Sequence, residues 1–248
     1  MKKLFTLLCF VTLLLPVASF TVSAAGGAGV EHSGANIRDT GSLQRGAKWY
    51  VNYCLGCHTI SYMRYNRIAA DLDLSEDMVM QNLVNSDSKF GDTMDISMDP
   101  DQAKAWFGKT PPDLSLIGRS RGADWVYSYL LGFYKDETGV WNNTLLPNAA
   151  MPHVLWRLQG IQAPVYRTET GEGGSTHEVI DHFNLTKAGS QSPQEYEETV
   201  RDIAAFLEYA GEPAKLKRKS VGVWVILFLV LFTFIAYLLK AEYWRDVH

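Results

Sequence analysis

Cys54, Cys57 and His58 stand together in the run Cys54-Leu55-Gly56-Cys57-His58. Two thiols so spaced on a helical turn can each add to one vinyl group of a haem. The next residue then offers its imidazole to the iron from the same side. A structural zinc centre draws on four ligands, commonly two spaced Cys/His pairs, and this sequence has no second pair. A thioredoxin-like dithiol has no use for the following histidine. The spacing therefore predicts covalent attachment of a c-type haem at Cys54 and Cys57, with His58 on the iron. The third cysteine, Cys9, lies in an N-terminal apolar stretch.

A second axial ligand has to come from elsewhere in the chain. Met63, Met78, Met80, Met94, Met98 and Met151 are the candidates beyond the N-terminal stretch. Met63 follows His58 too closely to reach the opposite side. Met78 and Met80 sit in LSEDMVMQNL, which reads as an amphipathic helix with its methionines in the core. Met94 and Met98 lie in an acidic loop. Met151 lies in NNTLLPNAAMPHVLW, where small neighbours let backbone approach a flat macrocycle and Pro152 stiffens the loop. Neutral imidazole also suits iron, so His153 is the rival to Met151. The segment TPPDLSLIGRSRGADW adds a prolyl carbonyl that can accept the ring N–H of His58 and fix its orientation. Arg119 and Arg121 either pair with haem propionates, which suit a planar guanidinium, or lie on a solvated surface.

These residues need a scaffold, and its elements are legible. Gln44–His58 is predicted helical, leading into the haem motif. Asp124–Tyr134 carries Trp125, Val126, Tyr129, Leu130 and Phe133 at helical spacing. Ser192-Pro193-Gln194-Glu195 is a capping box with proline at the first helical position. The helix it opens carries Tyr196, Val200, Ile203, Ala204 and Leu207 on one side and stops at Gly211 and Pro213. Turn residues between β-favouring runs predict a hairpin within Val165–Phe183. Residues 26–45 read as an extended arm.

The two ends have other tasks. Lys2 and Lys3, an apolar run to Phe20 and small residues at 22–25 form a secretory signal over residues 1–25. Ser220–Leu239 is free of charge and, at ~1.5 Å per residue, spans about the 30 Å of a bilayer core. The expected division is a signal peptide (1–25), an exported domain (26–214), a transmembrane anchor (215–240) and a cytoplasmic tail (241–248). Four bases precede the anchor and two follow it, but a long domain behind a signal is exported largely regardless of flanking charge. Residues 26–214 hold 25 acids against 15 bases, a net charge of −10, which argues against a nucleic-acid partner. Between 71 and 101 nine acids face only Lys89. That run is either a solvated face or a docking surface for a basic partner.

Taken together, CLGCH at 54–58, PPDLS at 111–115, RSRG at 119–122, AMPHVLW at 150–156 and the tail AEYWRDVH resemble the cytochrome c1 family, in its bacterial branch. The resemblance covers nearly all of the chain after the signal. It implies a mainly α, class I-like cytochrome c haem domain with long loops and a small hairpin, plus one C-terminal transmembrane helix. It implies one covalently attached haem c with thioether links at Cys54 and Cys57. Axial ligation by His58 and Met151, a propionate contact from Arg121 and a carbonyl contact to His58 from Pro111 or Pro112 are implied as well. WFG at 106–108 departs from the mitochondrial pattern, so no haem contact is assigned there. The implied partners are cytochrome b, a Rieske iron–sulfur protein as donor and a cytochrome c as acceptor, in a dimeric complex. The implied place is the bacterial inner membrane, with the haem domain periplasmic.

The family's chemistry would be outer-sphere electron transfer, with no substrate bond made or broken by this chain alone. No nucleotide loop and no paired nucleophile and base are present. Two other classes compete. A haem peroxidase or nitrite-reductase type enzyme needs an open sixth position. A thiol-redox or metal-delivery module needs free Cys54 and Cys57.

Overall fold

The computed structural model describes residues 29–84, 87–96, 98–170 and 176–247. The expected signal at 1–25 lies outside the described residues. In chain order the elements are α1 (Thr40–Tyr53), β1 (Ile60–Arg64), α2 (Tyr65–Asp71), α3 (Glu76–Asn82) and β2 (Thr93–Met94). There follow α4 (Pro100–Phe107), α5 (Ile117–Ser120), α6 (Ala123–Leu131), β3 (Phe133–Lys135), β4 (Trp141–Asn143) and α7 (Trp156–Gln159). The chain closes with β5 (Gly160–Thr170), β6 (Thr176–Ala188), α8 (Pro193–Gly211) and α9 (Lys215–Tyr243).

Asp39 starts α1: its side chain accepts from the Ser42 amide at 3.0 Å, satisfying one of the free N–H groups of the first turn. Leu43, Ala47, Tyr50 and Val51 recur at helical spacing and are buried. The helix ends earlier than Gln44–His58 suggests. The amides of Cys57 and His58 both donate to the Cys54 carbonyl, at 3.0 and 2.8 Å, so the haem motif is a tight turn beyond the helix.

At the other end of the chain, α8 opens with the expected capping box: the Ser192 hydroxyl accepts from the Glu195 amide and the Glu195 carboxylate accepts from the Ser192 amide. Tyr196, Val200, Ile203, Ala204 and Leu207 are all buried. α1 lies directly on α8, and Gly46 is what permits it. A Cβ there would stand 2.1 Å from the Asp202 carbonyl oxygen. Gly118 on α5 approaches α8 in the same way, 2.3 Å from the Leu207 carbonyl. Asp202, only 5% exposed, locks the crossing by accepting from the Ser42 hydroxyl at 2.6 Å and from Arg45 Nε at 2.6 Å. A buried carboxylate is tolerated there because each oxygen has a donor.

The N-terminal arm, residues 29–38, has neither helix nor strand but is tied down. The Ser33 hydroxyl and amide donate to Asp124 at 2.6 and 2.9 Å, and Arg201 Nε donates to the Ser33 carbonyl at 2.9 Å.

Among the described residues three two-stranded antiparallel ladders complete the fold: β1 with β2, β3 with β4, and β5 with β6. The last contains the expected hairpin but begins and ends five residues further out, pairing Gly160 with Ala188. The other two ladders are too short to leave a period-2 signal in the sequence. One of them corrects the reading of Met94, which pairs with Ile60 and is fully buried and so is core, not loop. In α3 the helix is present but its faces are reversed: Val79 is buried and Met78 is 51% exposed.

Several of the acids between 71 and 101 have local tasks. Ser75 caps α3, and Glu76 and Asp77 occupy its first turn, where the helix dipole favours negative charge. Asp99 caps α4 by accepting from the amides of Asp101 and Gln102. Asp71 accepts from Arg67 at 2.5 Å and from the Tyr209 hydroxyl at 2.9 Å.

Among the described residues α9 is the one helix long and apolar enough to cross a membrane: 29 residues with none of its apolar window buried. It begins where the expected anchor (215–240) begins and runs three residues past its end. Its basic start is braced on the end of α8 by ion pairs of Lys215 with Glu208 and of Arg218 with Glu212.

Candidate functional site

The turn after α1, the 107–117 segment, α6, the 146–154 loop and the face of α8 around Ile203 and Leu207 enclose one cavity of ≈ 1280 Å³, counting the part open to solvent. Cys54, Cys57, His58, Pro111, Pro112 and Met151 all line it, although they come from three separate stretches of sequence. The walls are almost wholly apolar, with Leu114, Ile117, Trp125, Val126, Leu130 and Val154 prominent, and Lys109 is the one charged side chain among them.

No disulfide joins Cys54 to Cys57, so both sulfurs can form thioether links. Burial, helped by neighbouring Cys57, pushes the Cys54 thiol up to about 12. The Tyr50 hydroxyl donates to the His58 carbonyl at 2.5 Å and pins the end of the motif from the core side. His58 Nδ1 lies 2.7 Å from the Pro112 carbonyl oxygen. A carbonyl only accepts, so Nδ1 carries the proton and Nε2 keeps its lone pair. Burial lowers the His58 pKa, against the opposing pull of Pro112 and Asp113, which keeps the ring neutral and able to ligate. Of Pro111 and Pro112, it is Pro112 that makes the contact.

Met151 is the only methionine among the described residues that lines the cavity. Met63 and Met94 are buried in the core. Ala149 and Ala150 line the cavity beside Met151, as small neighbours should. His153 does not line it. Its ring is 2% exposed and stacked on Phe133 at 5.0 Å, with Trp141 and Tyr196 edge-on. Arg121 is exposed and does not touch the cavity itself; its guanidinium lies over the Trp125 ring at 5.2 Å, and Trp125 forms part of the wall. Arg119 is exposed as well.

Three supporting residues escaped the sequence reading. Tyr129 lines the cavity and its hydroxyl lies 3.7 Å from the Met151 sulfur. Asn143, fully buried, donates to the Tyr129 carbonyl at 2.8 Å and accepts from the Leu145 and Leu146 amides, tying the methionine loop to α6. Asp113 binds the segment after Pro112 to the segment after His58. The only available signal was proximity in sequence to the motif residues. Which of their neighbours bear on the site depends on tertiary contact.

The donor set suits one covalently held macrocycle: two free thiols, a neutral imidazole with its lone pair on Nε2, a thioether and apolar walls. An α-rich fold around such a cavity, joined to a single apolar helix, defines a membrane-anchored monohaem c-type cytochrome. A family model described as the Cytochrome C1 family matches residues 32–247, and the chain belongs to that family. Cytochrome c1 of Allochromatium vinosum is 48% identical over 244 residues, covering 97% of this chain and 99% of the relative. A chain from Nitrosomonas europaea named Ammonia monooxygenase gamma subunit is 44% identical over 212 residues, 85% of each. A chain of a hyperthermophilic respiratory Complex III covers 100% of this chain at 17% identity and a TM-score of 0.41, too low a likeness to bear on function. As a family member, the protein carries a single covalently bound haem c. It is a c-type cytochrome subunit of a cytochrome bc1 complex in respiratory electron transfer and is not catalytic by itself.

Proposed function

We propose that the chain takes an electron from a Rieske iron–sulfur protein and passes it to a cytochrome c, beside cytochrome b in a dimeric complex of the bacterial inner membrane. Residues 1–25 are its export signal, 26–214 the periplasmic haem domain, 215–240 the single-pass anchor and 241–248 a cytoplasmic tail. The bound haem supplies one-electron exchange between ferrous and ferric iron. Cys54 and Cys57 would tether it, and His58, through Nε2, and Met151 would hold its iron. Arg121, with Lys109 at the cavity wall, neutralises the propionates. The apolar walls exclude water, so little solvent has to reorganise when the charge changes.

The observation that carries this reading is the convergence of Met151 with His58 and both thiols on one cavity. If His58 and Met151 both held the iron, no open position would remain for an exogenous ligand, which favours a carrier over a haem enzyme. Met151→Lys in the membrane complex tests it. The expected result is a lower reduction potential and slowed electron transfer to the acceptor, because thioether ligation raises the potential. An unchanged potential, or ready binding of carbon monoxide by the reduced wild-type protein, would remove Met151 from the iron.

A further inference from the structure

Asp113 follows Pro112, and its carboxylate reaches across to the stretch that follows His58. Oδ2 accepts from the Thr59 hydroxyl at 2.5 Å and from the amide and hydroxyl of Ser61 at 2.9 Å each. Oδ1 accepts from the Ser115 amide at 2.8 Å. Beside it the Leu114 amide donates to the Thr59 carbonyl at 2.8 Å, and the Tyr62 amide to the Ser115 hydroxyl at 3.2 Å. Residues 58–62 and 112–115 are thereby laced together, and the contact of His58 with Pro112 is the rung at the cavity. The Ser61 hydroxyl has one hydrogen and two carboxylate neighbours, Asp113 at 2.9 Å and Asp95 at 2.8 Å, so it serves one at a time. Thr59 and the two amides hold Asp113 without it.

The Pro112 carbonyl and the Asp113 amide belong to one planar peptide unit. Whatever fixes Asp113 therefore fixes the direction of that carbonyl. We propose that Asp113 is a positioning residue for electron transfer: it clamps the 112–113 peptide so that the carbonyl stays on His58 Nδ1 and sets how strongly the imidazole donates to the iron. The proposal rests on His58 ligation as read above. An N–H held on a carbonyl pushes electron density into the ring, which favours ferric iron and lowers the potential. A carbonyl left free to turn to water gives up part of that effect.

The test uses the full-length holoprotein in detergent, with Asp113→Ala and Asp113→Asn. In the asparagine variant one oxygen becomes an NH2 that faces a backbone N–H, of Ser61 or of Ser115, so part of the clamp breaks while the site stays filled. Two readouts are followed: the midpoint potential, and hydrogen–deuterium exchange of the hyperfine-shifted His58 Nδ1 proton by NMR. The expected result is a raised potential and faster exchange in both variants, larger in alanine. If the alanine variant fails to take up haem, the asparagine variant decides alone. A haem-loaded variant with unchanged potential and exchange overturns the role of Asp113 and leaves His58 ligation standing. A wild-type protein with no hyperfine-shifted histidine Nδ1 proton removes the ligation and the proposal together.

Discussion

The Tyr129 hydroxyl lies 3.7 Å from the Met151 sulfur, across the cavity wall from α6 to the methionine loop. Burial pushes that phenol up to about 12, so it remains a donor at any physiological pH. A hydrogen bond to the thioether draws density from sulfur and favours ferrous iron over ferric. Tyr129→Phe should therefore lower the reduction potential. One hydrogen bond is worth about 1 kcal/mol, and a tenfold change corresponds to about 59 mV for one electron. The shift should thus be a few tens of millivolts at most, read by redox titration. A rise, or no change, would dissociate the hydroxyl from any effect through Met151.

His153 gives the fold a dependence on pH. Burial lowers its pKa from 6.5 to about 4, against a weaker opposing pull from Gln159. Above 6.5 both folded and unfolded chains hold the ring neutral, and stability from this group is flat. Below 6.5 the unfolded chain takes up a proton that the folded one refuses, so stability falls as pH drops towards 4. The gap amounts to about 3 kcal/mol when the transition is complete. Unfolding of the haem domain, followed by its visible spectrum at pH 7.5 and pH 5, should show this loss in the wild type. In His153→Phe it should be smaller by about 2 kcal/mol, the part of the gap already reached at pH 5. Equal losses in the two proteins would show that His153 is not the titrating group.

Gly46 sets the spacing of the helix that leads into the haem motif. Its Cβ would meet the Asp202 carbonyl at 2.1 Å, and backbone cannot step aside as a side chain can. Gly46→Val should cost at least about 1–3 kcal/mol and sharply reduce haem-loaded protein in membranes. Gly56→Ala, inside the motif but with nothing within 4 Å of the new methyl, is the control and should be tolerated. Normal haem content in Gly46→Val would mean that α1 and α8 can separate at no cost.

The acidic run makes electron transfer to a basic acceptor sensitive to salt if it faces the docked partner. Rates should fall as ionic strength rises and the charges are screened. Asp99 caps a helix, and Asp95 binds Thr93 and Ser61, so neutralising either disturbs the fold. Asp73→Asn and Asp87→Asn are cleaner probes, both exposed, and together they should flatten the salt profile. A flat profile in the wild type would leave the run as a solvated face.

The sequence carried the covalent motif, the anchor, the capping box of α8 and its buried face, because each is written in local spacing. Met151 was legible as a candidate from its small neighbours, but its separation from His153 was not. One residue lines the cavity and the other is stacked on Phe133 with Trp141 edge-on, and only tertiary packing decides between two residues so close in one loop. Met78 and Val79 show the same limit. A two-turn helix has too few positions for its apolar face to be read, and the more flexible methionine ended outside. Tyr129 was legible only as part of a helix's apolar face, and Asn143 and Asp113 had no legible role, because their partners lie 22, 14 and 54 positions away.

Three residues, Glu212–Ala214, separate α8 from α9, and the ion pairs of Lys215 and Arg218 bridge even these. At ~3.5 Å per residue such a joint reaches about 10 Å when fully extended. The haem cavity is thus joined to its mast by a short, braced joint, with no long tether on which to swing.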